Sequence, residues 1–233
     1  MTRGPDFWSM LFGRRGADMN RIFADRVEAG RALARVLEPF AGSAETTVLA
    51  LPRGGVPVAY EIASALGLPL DVLVVRKLGL PGQPELAMGA IASGGALVLN
   101  EDVLRYLDER MASLESVKAR ELAEVQRRER SYRGDRPALA VAGRTAILVD
   151  DGLATGATME AAVRALRALD AKRVVVAVPV SSVEARERIA ALADEVVCLE
   201  LPTFFSAVGQ WYRDFRQTSD DEVRALLAKD PAR

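Results

Sequence analysis

The stretch that decides the fold reads Ala146-Ile147-Leu148-Val149-Asp150-Asp151-Gly152-Leu153-Ala154-Thr155-Gly156-Ala157-Thr158. Its four leading apolar residues indicate a buried β-strand, and two carboxylates stand at the carboxyl end of that strand. A turn of small residues follows and leads into a helical pattern that begins near Met159. This order of strand, acidic pair, small turn and helix predicts a ligand site at the end of a strand.

The small-residue turn is suited to an anion. Backbone N–H groups at the start of a helix have no partner within the helix, and the helix dipole favours negative charge there. Such a turn therefore fits a phosphate monoester. The neighbouring carboxylates, Asp150 and Asp151, need a different partner, which is either a set of sugar hydroxyls or a divalent metal that screens their repulsion. Together these requirements describe a phosphorylated sugar.

These features resemble the phosphoribosyl pyrophosphate (PRPP) binding motif of the type I phosphoribosyltransferases. The resemblance implies that Asp150 and Asp151 contact the ribose hydroxyls. It implies that the 5'-phosphate is bound by the turn, whose residues are Ala154, Thr155, Gly156, Ala157 and Thr158. It also implies Mg2+ as a cofactor carried by PRPP, with the acidic pair as candidate ligands. Gly152 departs from the family pattern, because a bulky aliphatic residue is common there and a glycine loosens the turn.

A second candidate site is the turn Pro52-Arg53-Gly54-Gly55, which follows the predicted first core strand. Two glycines allow the backbone to approach a bulky anion, and Arg53 supplies a fixed positive charge. A dinucleotide-binding fingerprint is the rival interpretation, but its Gly-x-Gly-x-x-Gly spacing is missing. The turn resembles the pyrophosphate loop of the family, and the resemblance implies that Arg53, Gly54 and Gly55 bind pyrophosphate.

The third candidate segment covers residues 76–85 and is rich in glycine and proline. This composition predicts a loop, which is either a solvated connection or a lid that excludes water from a reacting sugar. Members of the family carry a mobile loop at this place. The resemblance implies that Arg76 and Lys77 are catalytic residues that neutralise the departing pyrophosphate. Glu85 is a candidate contact for the acceptor.

The segment after the last predicted strand is aromatic-rich, with Phe204, Phe205, Trp211, Tyr212 and Phe215 close together. These rings either anchor the terminus to the core or stack on a planar base. Aromatic residues beyond a last strand more often anchor a terminus, which favours packing. If a base does stack there, Trp211 and Tyr212 are the candidate acceptor contacts.

Strand and helix patterns alternate along the chain. This alternation predicts an α/β, doubly wound, Rossmann-like fold, in which a mainly parallel sheet has helices on both faces and ligands at strand ends. A hairpin is predicted near residues 87–99 and a long charged helix at about 102–133. The predicted organisation is a loose N-terminal extension (1–22), a core (23–201) and a C-terminal hood (202–233). From about Phe23 onward, the chain resembles an uncharacterised bacterial branch of predicted phosphoribosyltransferases.

Composition excludes several kinds of chemistry. The 233 residues include no histidine, which rules out Ser-His-Asp and Cys-His nucleophiles and His-ligated metals. The single cysteine, Cys198, lies in an apolar run and is expected to be a small buried hydrophobe. The 31 basic and 32 acidic residues nearly cancel, so nucleic acid is not an expected partner. Neither a bilayer-spanning run nor a signal peptide is recognised, so we expect a cytoplasmic protein.

The predicted function is transfer of the 5-phosphoribosyl group of PRPP to a nitrogen acceptor, a nucleobase or related compound, with release of pyrophosphate. The family resemblance also implies a homodimer. Ala154 stands where hypoxanthine-type members carry an aspartate, so a 6-oxopurine acceptor is not supported and the acceptor stays open. Two alternatives remain, a PRPP-sensing regulatory protein without turnover and a phosphoribosyl-binding structural or hydrolytic protein.

Overall fold

The computed structural model describes residues 22–80, 83–100, 111–137 and 139–230. Residues 1–21 of the predicted extension and residues 102–110 of the predicted long helix lie outside these ranges. The described part of the chain contains eight strands, which are β1 (Thr46–Ala50), β2 (Leu70–Val72), β3 (Val75–Leu80), β4 (Gln83–Ala92), β5 (Leu97–Leu99), β6 (Thr145–Val149), β7 (Arg173–Val180) and β8 (Glu195–Glu200).

Five of these strands form a parallel sheet in the order β2-β1-β6-β7-β8. The central strands β6 and β7 are nearly continuous apolar runs, because both faces of such a sheet are covered. All five residues of β1 are buried, as are all residues of β7 after Arg173. The mainly parallel α/β sheet that the sequence predicts is confirmed.

Helices cover both faces of this sheet. Those of the described residues are α1 (Arg26–Val36), α2 (Gly55–Leu66), α3 (Met111–Arg133), α4 (Ala157–Ala168), α5 (Val183–Ala190) and α6 (Asp220–Ala228). Side chains from α1, α2, α3 and α6 pack with one set of strand residues, and those from α4 and α5 pack with the alternate set. The fold is therefore doubly wound. Within the described ranges, no helix combines the length and apolar character needed to cross a membrane.

Local signals define the helix ends. Asp25 precedes α1, and its carboxylate accepts a hydrogen bond from the backbone N–H of Glu28 at 2.8 Å. Gly67 ends α2 in the left-handed conformation that glycine adopts without steric cost. Ser219 and Glu222 form a reciprocal capping box at the start of α6. These caps place the beginnings of α1 and α6 before any tertiary contact is considered.

The remaining strands form a separate antiparallel sheet in the order β3-β4-β5. The pairing of β4 with β5 confirms the predicted hairpin. The predicted loop over residues 76–85 is wrong, because all of these residues except 81 and 82, which lie outside the described ranges, belong to β3 and β4. Leu78 and Leu80 are buried in the core, so tertiary burial outweighs the glycine and proline content of this segment.

The long helix α3 uses its apolar stripe as the sequence predicts. Leu114, Val117 and Val125 are buried against β3, β4 and their neighbours, while Leu122 is partly buried. The arginines near its carboxyl end are largely paired: Arg127 and Arg128 contact Glu124, Arg133 contacts Asp71, and Arg136 contacts Asp230. These ion pairs neutralise much of the basic cluster within the fold itself.

The irregular part of the hood packs against the start of α1. The backbone of Phe23 forms a parallel β-bridge with Tyr212, and the centroids of their rings lie 5.8 Å apart. Trp211 and Tyr212 are buried, and Phe205 stacks on Trp211. Phe204, by contrast, is 90% exposed. The aromatic segment therefore anchors the C-terminal region to the core through all of these rings except Phe204.

Gly30 marks the closest approach between α1 and α2. A Cβ atom at this position would lie 2.6 Å from the Val58 carbonyl oxygen and 2.7 Å from the Glu61 Cβ. We predict that Gly30→Ala lowers the free energy of unfolding by about 1–3 kcal/mol through overpacking, despite the better helix propensity of alanine. Urea denaturation would measure this. The exposed Arg35→Ala on the same helix is the control, with a change within about 0.5 kcal/mol. Unchanged stability of Gly30→Ala would contradict the prediction.

Cys198 lies in β8, where its Sγ donates to the Glu200 carbonyl oxygen at 3.2 Å. Burial raises the pKa of this thiol to about 12. Because the thiolate is the reactive species, we predict that iodoacetamide at about pH 8 modifies the native protein about 100-fold or more slowly than the denatured chain. Mass spectrometry of timed samples would measure both rates. Rapid native alkylation would show that the thiol is accessible and ionised.

Candidate functional site

The acidic pair stands at the carboxyl end of β6, as predicted. The backbone N–H of Asp151 donates to Asp150 Oδ1 at 2.9 Å. Asp151 Oδ2 accepts two hydrogen bonds from Arg26 of α1, at 2.9 Å from Nε and 2.7 Å from Nη2. Thus one oxygen of each carboxylate is bound within the protein, and the other oxygen of each accepts no hydrogen bond from the described residues.

Burial disfavours the charged forms of both carboxylates. Burial raises the pKa of Asp150 well above its usual value, and the negative charge of Asp151 raises it further. Burial also raises the pKa of Asp151, although the Arg26 guanidinium opposes this shift by favouring the charged form. A ligand that donates hydrogen bonds or carries positive charge would therefore stabilise the ionised pair.

The small-residue turn leads from Asp151 into α4 with an open surface. Ala154, Thr155 and Thr158 are exposed, and Gly156 adopts the left-handed conformation immediately before the helix. Two side chains fix the backbone of the turn. Ser182 Oγ donates to the Ala154 carbonyl oxygen at 2.8 Å, and Arg188 Nη1 donates to the Thr155 carbonyl oxygen at 3.1 Å. The turn therefore presents a helix N-terminus to solvent on a fixed backbone.

The turn that contains Arg53 lies directly against the acidic pair, and its Pro52–Arg53 peptide bond is cis. A Cβ atom on Gly54 would lie 2.0 Å from Asp151 Oδ2, and one on Gly55 would lie 2.6 Å from the Val149 carbonyl oxygen. Both positions consequently need glycine for close approach.

Arg53 projects toward α6. Its Nη1 lies 3.5 Å from Asp220 Oδ1, which also accepts a 2.8 Å hydrogen bond from the Tyr132 hydroxyl. The side chain of Arg53 remains 35% exposed. Arg53 can therefore give up its long contact with Asp220 and pair with a more highly charged anion instead.

Arg76 and Lys77 occupy opposite faces of β3, because successive residues of a strand alternate. Arg76 faces α3, where its Nε donates to Glu121 Oε2 at 2.8 Å and its Nη2 forms an ion pair with the same oxygen at 2.8 Å. Lys77 is exposed on the other face. The role predicted for Arg76 and Lys77, neutralising the departing pyrophosphate, stays a prediction, but the structure places the two cations on opposite faces of β3. Glu85 belongs to β4, and its side chain lies outside the described parts of the structure.

The two candidate stacking residues are covered. Trp211 is 6% exposed and Tyr212 is 5% exposed. The Tyr212 hydroxyl donates to the Asp151 carbonyl oxygen at 2.6 Å, and burial raises the pKa of this tyrosine. Neither ring offers a free face to a planar base, so the acceptor role predicted for Trp211 and Tyr212 is not supported. Instead, Tyr212 holds the backbone of the acidic pair.

Arg26 is the site residue that the sequence analysis missed. One signal could have found it, since a charged side chain at position 26 shares the inner face of α1 with Ala29, Gly30 and Leu33.

The glycine at position 152 is explained by its contact with the hood. A Cβ there would lie 2.6 Å from Val208 Cγ1, so Val208 fills the space beside Gly152.

Comparisons with known proteins show which proteins this chain resembles. The profile of the family described as "Phosphoribosyl transferase domain" matches residues 21–216. The Mycobacterium tuberculosis (strain H37Rv) protein named "Putative phosphoribosyl transferase Rv0571c" is 53% identical over 207 residues, covering 89% of this chain and 46% of the relative. The chain thus spans about half the length of that relative.

A solved structure is similar along nearly its whole length. The crystal structure of TT1426 from Thermus thermophilus has 50% sequence identity and a TM-score of 0.81, and the match covers 89% of this chain and 98% of that chain. Because the family profile matches most of the chain, residues 21–216, the chain belongs to the phosphoribosyl transferase domain family.

Proposed function

We propose that this protein is a Mg2+-dependent phosphoribosyltransferase, which transfers the 5-phosphoribosyl group of PRPP to a nitrogen acceptor and releases pyrophosphate. The observation that carries the proposal is a pair of carboxylate oxygens, one on Asp150 and one on Asp151, that accept no hydrogen bond from the described residues. Two vicinal ribose hydroxyls can donate to these two oxygens. The turns on either side then suit the two phosphate ends of the same molecule.

Each end of PRPP has a separate partner in this proposal. The 5'-phosphate accepts hydrogen bonds from the turn of residues 154–158 at the start of α4, where the helix dipole favours an anion. The diphosphate lies against Gly54 and Gly55, where the backbone permits close approach, and Arg53 leaves Asp220 to pair with it. A two-ended clamp of this kind fixes the anomeric carbon between its contacts.

Mg2+ fits this site as an ion shared with the substrate. The described residues contain no group of three or more acidic or cysteine side chains that could hold a metal alone. Mg2+ is commonly bound by one or two carboxylates together with substrate phosphates and water. Asp150 and Asp151 would provide the carboxylates, and the bound ion would supply positive charge against the diphosphate.

The reaction is a displacement at the anomeric carbon of ribose. The bond from this carbon to the diphosphate oxygen breaks, and its electron pair leaves with pyrophosphate. A bond forms from the acceptor nitrogen, which then loses its proton to solvent. Positive charge develops on the sugar ring near the ionised acidic pair, while Arg53 and Lys77 face the charge that develops on pyrophosphate. Electrostatic stabilisation thus makes up most of the protein's contribution.

The first test is pyrophosphate release from Mg2+-PRPP with a panel of purines, pyrimidines and simple amines. We predict acceptor-dependent release, and a loss of about 100-fold or more in turnover for Asp151→Asn, since a ribose contact and a charge are both removed. Asp221→Asn, on the exposed surface of α6, is the matched control and should retain normal rates. Calorimetric binding of PRPP is measured in parallel.

The outcomes separate the alternatives. Tight PRPP binding without turnover for any acceptor would favour a PRPP-sensing regulator. Pyrophosphate release that no acceptor accelerates would favour a hydrolytic protein. Failure to bind PRPP at all would overturn the proposal.

Lys77 and Arg76 provide a second test, because they differ in what they contact. We predict that Lys77→Met lowers turnover about 100-fold and leaves stability unchanged, since this exposed cation would face pyrophosphate. Arg76→Met should instead cost about 1–3 kcal/mol of stability, because it leaves Glu121 buried without its main partner. Steady-state kinetics and urea denaturation of both variants measure the split. A turnover defect confined to Arg76→Met would reverse the assignment.

A further inference from the structure

We infer that Arg26 is a positioning residue, which holds the Asp151 carboxylate in the orientation that receives ribose and links this carboxylate to the hood. The inference rests on the proposed function, because it concerns how the acidic pair meets PRPP. Arg26 has no assigned role among the motifs of this chain. Its side chain, however, donates two hydrogen bonds to the Asp151 carboxylate.

The guanidinium of Arg26 uses several of its donors at once. Nε and Nη2 both donate to Asp151 Oδ2, and Nη1 donates to the Arg216 carbonyl oxygen at 2.9 Å. The guanidinium carbon also lies 4.1 Å from the centre of the Phe215 ring. A planar group that donates to acceptors on two sides and carries a ring against its face has little freedom to rotate.

The partner of this guanidinium is equally confined. The Asp151 side chain is 15% exposed and that of Arg26 is 11% exposed. Gly54 closes the other side of Asp151 Oδ2, where even a Cβ atom would be only 2.0 Å away. Oδ2 is therefore committed to Arg26, which leaves Oδ1 to face a ligand. Arg26 thus decides which carboxylate oxygen is presented.

The same contacts join the hood to the acidic pair. Arg216 and Phe215 hold the guanidinium, and the Tyr212 hydroxyl donates to the Asp151 carbonyl oxygen. The hood thus supports both the side chain and the backbone of Asp151. This arrangement gives the buried aromatic residues a role in substrate positioning without any contact with a base.

A neighbouring cavity makes the inference testable by chemical rescue. It has a volume of about 300 Å³ and is lined by Arg26 together with Tyr60, Glu61 and Arg216, among others. In Arg26→Ala this cavity would extend toward Asp151, so a free guanidinium ion could reach the carboxylate. An ion of this kind restores the donors without restoring the covalent link to α1.

The experiment measures PRPP affinity by calorimetry and kcat and KM by pyrophosphate release, both with Mg2+ present. We expect Arg26→Ala to lower kcat/KM for PRPP about 100-fold by misplacing the ribose contact. Millimolar guanidinium should restore a large part of this loss. It should have no such effect on wild type or on Asp151→Asn. Arg31→Ala is the matched control, because this arginine of α1 has a 67% exposed side chain and pairs with Glu61 rather than with Asp151.

Arg26→Lys is a second variant, which keeps the positive charge. It tests the inference even if Arg26→Ala does not fold. One ammonium group cannot reproduce the guanidinium contacts with Asp151 and Arg216, so we expect this variant to fold and to remain impaired. Normal kinetics in Arg26→Lys or in folded Arg26→Ala would overturn the inference, as would a loss that guanidinium does not rescue. Wild-type protein that fails to bind PRPP would instead remove the proposed function and this inference with it.

Discussion

Parallel pairing of β1 with β6 is the constraint on which the rest of the site depends. Ala50 is in register with Val149, and the backbone N–H of Leu51 donates to the Val149 carbonyl oxygen at 2.9 Å. Because parallel strands end at the same edge of a sheet, the residues that follow β1 must meet those that follow β6. The turn at 52–55 and the acidic pair are therefore in contact, although about 95 residues separate them along the chain.

This close meeting explains the residue types at the site. Two carboxylates at a buried edge repel each other, and burial penalises their charged forms. A backbone N–H donates to Asp150 and the Arg26 guanidinium donates to Asp151, which stabilises both charges. One oxygen of each carboxylate accepts no hydrogen bond from the described residues. Glycine at 54 leaves room for this arrangement. The site is thus prepared for a ligand that brings its own donors and cations.

Local patterns predicted a large share of this structure. The stretch from Ala146 to Thr158 contains strand, acidic pair, turn and helix start within one segment, so its interpretation needed no distant contact. Residues 76–85 were misjudged because their glycines and prolines are typical of loops. Pairing between β3 and β4 and the burial of Leu78 outweigh that preference. Arg76 and Lys77 are adjacent in sequence, yet strand alternation places them on opposite faces of β3, with Arg76 against Glu121 and Lys77 exposed.

The sequence by itself determined the doubly wound class, the acidic pair and the two glycine-containing turns after β1 and β6, because these depend on periodicity and on short-range backbone chemistry. Only the tertiary structure decided which groups complete the site. Arg26 reaches Asp151 across 125 positions, Tyr212 across 61, and Val208 fills the space beside Gly152. Contacts of this length depend on how α1 and the hood pack over the sheet edge, and no local pattern encodes that packing.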